Sequence, residues 1–203
     1  MLTLLHTSPV HVATFDALRD RIAPGASLRH IVREDLLARA MDQGITPEIA
    51  AETTDLINSV QTPVLCTCTT LGTVAENAGA TRIDRPMMRM AAERGGPVLM
   101  AYCLESTVEP SLSLLQEELA RAGNPHPITP LFLPDAWPLF QSGNRTGFAH
   151  HIADAIRDRV NSEDLCVILA QASMADAADH LGELSNPVLS SPETALKRAV
   201  GIS

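Results

Sequence analysis

Residues 64–77 read VLCTCTTLGTVAEN: a short apolar run, a cysteine, two threonines and a helix-like stretch. Cys68 therefore stands where a strand hands over to a helix. A thiol there can gain from helix amides and the helix dipole, which lower its pKa from about 8.5 towards neutrality and make a usable thiolate. The competing reading is a small buried hydrophobe, because free cysteines are among the most buried residues. Cys66, Cys103 and Cys166 sit inside apolar runs and read as core packing, although Cys103 lies close to a strand end. Cys68 differs in the hydroxyls of Thr69 and Thr70 that follow it. It is read as functional and is expected to alkylate near pH 7 faster than the other three cysteines. The Cys66-x-Cys68 pair is a poor metal site, since no matching Cys or His pair lies nearby.

Other residues at strand ends share this polar character. The loops His6-Thr7-Ser8, Cys68-Thr69-Thr70, Glu105-Ser106-Thr107 and Gln171-Ala172-Ser173 are rich in hydroxyls and poor in Lys and Arg. Open α/β sheets bind ligands beyond the carboxyl ends of their strands, and amides at a helix N-terminus hold an anion without a formal positive charge. The loops thus point to a small carboxylate-bearing ligand. Neither GxxxxGK[ST] nor a strand-following GxGxxG is present, which argues against nucleotides, and no G-x-S-x-G supports a hydrolase elbow. His6 ends the first strand and is either a base or a hydrogen-bonded structural residue. His150, His151 and Asp154 have metal-ligand spacing but fall on an ordinary amphipathic helix; no metal is expected. Glu117 and Glu118 read as a solvated face.

These loops need elements to hold them. LTLLH, SLRHIV, TPVLCT, PVLMAYC, ITPLFL and LCVILAQ read as strands. Between them VATFDALRDRIA, a stretch opened by Pro47, about 70–77, PMMRMAAERGG, SLSLLQEELARAG, FAHHIADAIRDRV, MADAADHL and ETALKRAV carry helical spacing. Strands alternating with helices of this length give an α/β fold with parallel sheets. The chain also resembles itself: VLCTCTTLGTVAEN aligns with VILAQASMADAADH, so that Cys68 falls on Gln171, Thr69 on Ala172 and Thr70 on Ser173. The expected fold is two pseudo-symmetric lobes, each a parallel sheet flanked by helices, with the active site in the cleft between them. Residues 1–95 form the expected first lobe, with a C-terminal helix at 190–203 packing on it, and residues 96–189 the second. The segment LPDAWPLFQSGNRTG gathers Trp137 and Phe140 and reads as a long loop, either a lid or a subunit contact; the contact is favoured over the lid, so a homodimer is expected.

With 203 residues, 45% hydrophobic and 19% charged, the chain can bury a full core. Its net charge of −9 argues against nucleic-acid and anionic-membrane partners. No 18-residue apolar run exists, and MLTLLHTSPV lacks the basic and long apolar regions of a signal peptide, so a cytoplasmic protein with free thiols is expected.

The motifs LLHTS, TCTTLG and LAQASM together resemble the aspartate/glutamate racemase superfamily, which includes hydantoin racemases, maleate isomerases and arylmalonate decarboxylases. The resemblance spans nearly the whole chain. It implies a cofactor-independent enzyme that makes or breaks a C–H or C–C bond next to a carboxylate. Members use two strand-end cysteines on opposite faces of a carbon acid, one removing the α-proton and the other returning one. Cys68 matches the first position. Gln171 matches the second, and an amide neither takes nor gives a proton. Two-base racemisation needs an acid on each face, so protonation from one face is implied, as in the decarboxylase branch, unless His6 serves as a second base. Thr7, Ser8, Thr69, Thr70, Thr107, Ala172 and Ser173 would bind carboxylate oxygens, with Gln171 orienting the substrate. The alternative is a non-catalytic small-carboxylate binding protein on the same fold.

Overall fold

The structure, a computed structural model, describes residues 1–160 and 165–202. The chain divides into two units, Met1–Asp84 with Pro192–Ser203, and Arg85–Ser191. The first contains β1 (Leu2–His6), α1 (Val10–Ile22), β2 (Leu28–Val32), α2 (Glu34–Gln43), α3 (Pro47–Asn58), β3 (Val64–Cys66), α4 (Gly72–Asn77) and β4 (Thr81–Arg82). The second contains α5 (Arg85–Arg94), β5 (Val98–Tyr102), α6 (Glu105–Ala122), β6 (Ile128–Phe132), α7 (Trp137–Gln141), α8 (Arg145–Arg157), β7 (Cys166–Leu169) and β8 (Val188–Ser190). From Pro192 the chain returns to the first unit in helix α9 (Ser191–Val200).

Each unit holds one four-stranded parallel sheet, ordered β2-β1-β3-β4 in the first and β6-β5-β7-β8 in the second. Buried parallel strands read as continuous apolar runs, and β1, β3 and β7 are buried at every position. In the first unit Leu5, Val64 and Cys66 face α2, α3 and α4 through Leu36, Ala40, Ile49, Ile57 and Ala75. Alternation turns Leu4 and His6 to the other face, where Phe15 of α1 lies with its ring centroid 5.6 Å from that of His6. In the second unit Val98, Met100, Cys166 and Ile168 pack with Met87, Met88 and Ala91 of α5 and Leu114, Leu115 and Leu119 of α6.

Register makes the internal repeat concrete. Leu5 pairs with Cys66 and Ala101 with Leu169. The next amides, of Thr67 and Ala170, donate to the Leu5 and Ala101 carbonyls, each at 2.9 Å. The His6 and Tyr102 carbonyls accept from Arg33 and Leu133 at 2.8 Å in the same way. Cys68 and Gln171 therefore follow equivalent strand ends in the two units.

Several expectations are corrected. The unit boundary falls after Asp84 rather than after residue 95, because α5 packs on α6 and β7. Helix α2 and the short strands β4 and β8 are additional elements, and residue 203 of the expected terminal helix lies outside the described residues. Helix α6 begins at Glu105, running through Pro110 to the left-handed C-cap Gly123 (φ 67°), instead of starting after the proline. Buried Thr107, Ser111 and Leu114 hold that first half against the core. Residues 172–180 coil as a 3₁₀ helix, not an α-helix. Glu118 is not solvated: it is 2% exposed and meets Arg85 at 2.6 Å, Arg121 at 3.2 Å and Arg89 at 3.3 Å. The aromatic segment after β6 is helical rather than a loop, and its Phe140 is buried against Trp137 and Phe148. No helix among the described residues is long and apolar enough to cross a membrane.

Candidate active site

Cys68 lies one residue past the Thr67 amide that closes the β1–β3 ladder. It is 6% exposed, among Leu5, Leu71 and Ala75. Burial pushes its thiol pKa up; the Thr7 hydroxyl, the amides of Leu71 and Thr70 and the Thr70 hydroxyl all act on the sulfur in the opposite sense. Burial wins, so the expected thiolate at neutral pH is corrected to a protonated thiol. The physical reason is local. Helix α4 is only six residues long and starts at Gly72, and the donors come from the Thr69–Leu71 turn, closed by the Gly72 amide on Thr69 O at 2.9 Å. Burial of the sulfur then outweighs the short helix.

The turn is held from below. Arg82 forms a bidentate pair with Asp84, both bonds 2.8 Å, and Arg82 Nη1 donates to Thr73 Oγ1 at 3.3 Å. A Cβ at position 72 would lie 3.0 Å from Arg82 Nε, so the guanidinium passes where only glycine leaves room.

The other thiols lack such a ring of donors. Burial raises Cys66, which donates to the Cys68 carbonyl with a sulfur–oxygen distance of 3.6 Å. Burial also pushes Cys103 up to about 12 and Cys166 up to about 11.

His6 is fully buried and both ring nitrogens are engaged: Nδ1 lies 2.8 Å from Thr67 Oγ1, and Nε2 2.8 Å from His30 Nδ1. Thr67 gives its single hydroxyl proton to Leu5 O at 3.1 Å, so His6 Nδ1 donates to Thr67 and His6 Nε2 accepts from His30. Burial, with His11 and His30 nearby, lowers the His6 pKa to about 3. The expectation of a second base at His6 is corrected on this geometry, because no lone pair is left to take a substrate proton.

A stability prediction follows. The unfolded imidazole titrates near 6.5 and the folded one near 3, so in that window the unfolded chain holds the extra proton. Stability from this group is whole above pH 6.5 and falls as pH drops towards 3, by up to about 1.4 kcal/mol per pH unit. His6→Gln should flatten the dependence of urea midpoints on pH between 6.5 and 4 relative to the parent, and parallel curves would refute it.

In the second unit Gln171 is buried, and its Oε1 accepts from the backbone N–H groups of Cys103 at 2.6 Å and Leu104 at 3.1 Å. Leu104 is the N-cap of α6, so the amide pair that could hold an anion is filled by the protein's own carboxamide. Ala172 and Ser173 follow in the 3₁₀ turn and are buried. Ser8 is half-buried just before α1, and Thr69 and Thr70 are buried in the Cys68 turn. Thr107 is misplaced by the sequence reading: it lies inside α6 with its amide on Leu104 O at 3.0 Å, and Cys103 and Leu104 form the loop. The Leu71 amide and the Cys103–Leu104 pair are main-chain groups with no residue-type signal. His30 is different: it stands at the middle of β2, a histidine within a strand signal next to the one that ends in His6, and residue type alone marks it. Among the described residues no group of three or more His, Cys, Asp or Glu is arranged to hold a metal ion.

No protein-family model matches the chain, and no curated protein matches it. Solved structures do. Glutamate racemase RacE1 from Bacillus anthracis superposes with a TM-score of 0.66 at 13% identity, over 99% of this chain and 79% of that one. Aspartate racemase from Picrophilus torridus gives 0.67 at 10% identity, over 98% and 92%. The fold is that of the aspartate/glutamate racemase superfamily. A Gly74Cys mutant of arylmalonate decarboxylase shares this racemase-superfamily fold with a TM-score of 0.55 at 16% identity, over 98% of this chain and 91% of that one. Within the racemase-superfamily fold, this chain sets a cysteine at one of two equivalent strand ends and a glutamine at the other.

Proposed function

We propose that the protein is a cofactor-independent enzyme that makes or breaks a C–H or C–C bond next to a carboxylate, with Cys68 as its proton-transferring thiol. The observation that carries this reading is the set of four donors around one buried sulfur: the Thr7 hydroxyl, the Thr70 and Leu71 amides and the Thr70 hydroxyl. Core packing needs no such arrangement. A proton carrier does, because the thiolate left after proton transfer is met by dipoles already in place.

The direction of the thiol's pKa favours one branch of this chemistry. A thiol kept protonated by burial starts as an acid. In a carbon bearing two carboxylates, one C–CO₂⁻ bond breaks, CO₂ departs, and the electron pair stays on the carbon, delocalised into the remaining carboxylate as an enediolate. The S–H bond of Cys68 then breaks to form the new C–H bond. The resulting thiolate is held by Thr7, Thr70 and Leu71 until solvent returns a proton. Run from the C–H side, the same thiolate removes an α-proton and gives it back. Hydroxyls of Ser8 and Thr69, in the same unit as Cys68, would take carboxylate oxygens. In the second unit the Gln171 carbonyl oxygen is committed to Cys103 and Leu104, which leaves its NH₂ group as the part able to meet a ligand.

Dicarboxylates, amino acids and hydantoins incubated with the protein in D₂O provide the test. Deuterium at the carbon next to the carboxylate, in at least one of them and without added metal or cofactor, is the expected result. Carboxylate binding with no deuterium uptake and no CO₂ release would leave the binding-protein reading in its place.

A further inference from the structure

The bond that brings Thr7 to Cys68 joins two loops, and the residue before each partner is tied to the other by a side chain. His6 precedes Thr7 and Thr67 precedes Cys68. The His6 Nδ1–Thr67 Oγ1 bond of 2.8 Å links these two preceding residues, and Thr67 Oγ1 and N both bond back to Leu5 O. Two backbone rungs alone would hold the strands in register but leave the loop ends free to rotate. The added side-chain bond fixes both loops at the last residue before the thiol and before its donor.

His6 can do this only in one protonation and tautomeric state, and His30 sets it. His30 Nδ1 donates to His6 Nε2 at 2.8 Å, its ring stacks on that of His6 with centroids 5.1 Å apart, and its own Nε2 faces Asp16 Oδ1 at 3.4 Å. Asp16 is also held by Arg19 at 3.2 Å. The groups facing His6 are thus His11 and Phe15 on α1, with Asp16 and Arg19 behind His30 on β2. His30 gives its Nδ1 proton to His6, and His6 presents Nδ1–H to Thr67.

The second unit keeps the backbone rung but carries other residues at the positions of the two side chains. Tyr102 stands where His6 does and stacks on Phe132, and Ala170 stands where Thr67 does and has no hydroxyl. The residue that follows Ala170 is Gln171. The relay occurs in the half that carries the thiol.

We propose that Thr67, His6 and His30 are positioning residues that fix the Thr7 hydroxyl and the Thr69–Leu71 turn on the sulfur of Cys68. This rests on reading Cys68 as the working thiol, so the test reads thiol reactivity rather than turnover and can fail separately from the enzymatic reading. The rate of Cys68 alkylation by iodoacetamide is followed by mass spectrometry across pH 7–11 in the intact protein, with Cys103 of the other unit as internal reference. Thr67→Val keeps the shape and removes the hydroxyl; it should raise the Cys68 inflection by about one pH unit, a roughly tenfold slower reaction at a fixed pH below it. Thr67→Ser should restore the parent profile, and Cys103 should not change. A loosened fold would instead label Cys68 faster without moving the inflection, which overturns the proposal, as does a shift that serine fails to rescue. Should Thr67→Val not fold, His30→Leu and His30→Gln repeat the comparison, since glutamine can still donate to His6 and leucine cannot. The same upward shift is expected for leucine alone, and equal profiles for the two would overturn the proposal.

Discussion

Cys68→Ala is expected to slow turnover of any carbon acid the protein accepts by about 10²–10⁴-fold, the usual effect of a positioned acid or base. The fold should survive it. The side chain is small and sits at the edge of the first unit's core beside Leu71 and Ala75, and the change removes one sulfur without orphaning a buried charge. Thr7 and Thr70 hydroxyls can turn to other acceptors, whereas the two turn amides lose an acceptor and cost about 1–3 kcal/mol at most. Steady-state rates with matched circular dichroism would separate the two effects. Unaltered turnover in a folded Cys68→Ala protein would move the proton transfer to another residue.

The second large effect concerns stereochemistry. One thiol serves one face of a planar intermediate, so the unmodified protein should deliver its proton with a single configuration. Gln171→Cys puts a thiol at the strand end equivalent to Cys68 and should begin to scramble the stereocentre of the product. It also withdraws Oε1 from the Cys103 and Leu104 amides, a loss of about 1–3 kcal/mol if water does not replace it. At about 2–4 °C per kcal/mol for a chain of this size, the accompanying fall in melting temperature is readily measured. Chiral chromatography of the product reads the main outcome, and a product from Gln171→Cys as optically pure as the parent's would count against Gln171 standing at the second proton-transfer position.

The parts of this site that could be read in the sequence are those written in residue type at a strand end. TCTT after an apolar run marks Cys68 and one of its two hydroxyl partners, Thr70, and the match of VLCTCTTLG to VILAQASMA places Gln171 at the equivalent position of the repeat. The sheet register bears that match out. The ionisation of the thiol was not legible, because it depends on how completely Leu5, Leu71 and Ala75 exclude water and on a helix shorter than its sequence suggests. Thr107 was misplaced because Pro110 looks like a helix start, while α6 runs through it on the strength of the buried residues around it. Helix α2 did carry its signal: Leu36 and Ala40 at helical spacing, Glu34 and Asp35 in the first turn and Gly44 after the end. Strand β4 is two residues long and shows no alternation at all. The aromatic segment misled for another reason. Composition records that Trp137 and Phe140 are together, but not that Phe140 turns inward onto Phe148.

Cys68 as the sole proton carrier is tested most directly by converting one substrate in D₂O with the parent protein and with Cys68→Ala, and resolving the product by configuration and deuterium content. The expected result is one configuration, deuterated at the carbon next to the carboxylate, from the parent, and negligible deuterated product from the variant over the same time. A racemic deuterated product from the parent, or the same labelling from Cys68→Ala, would contradict it.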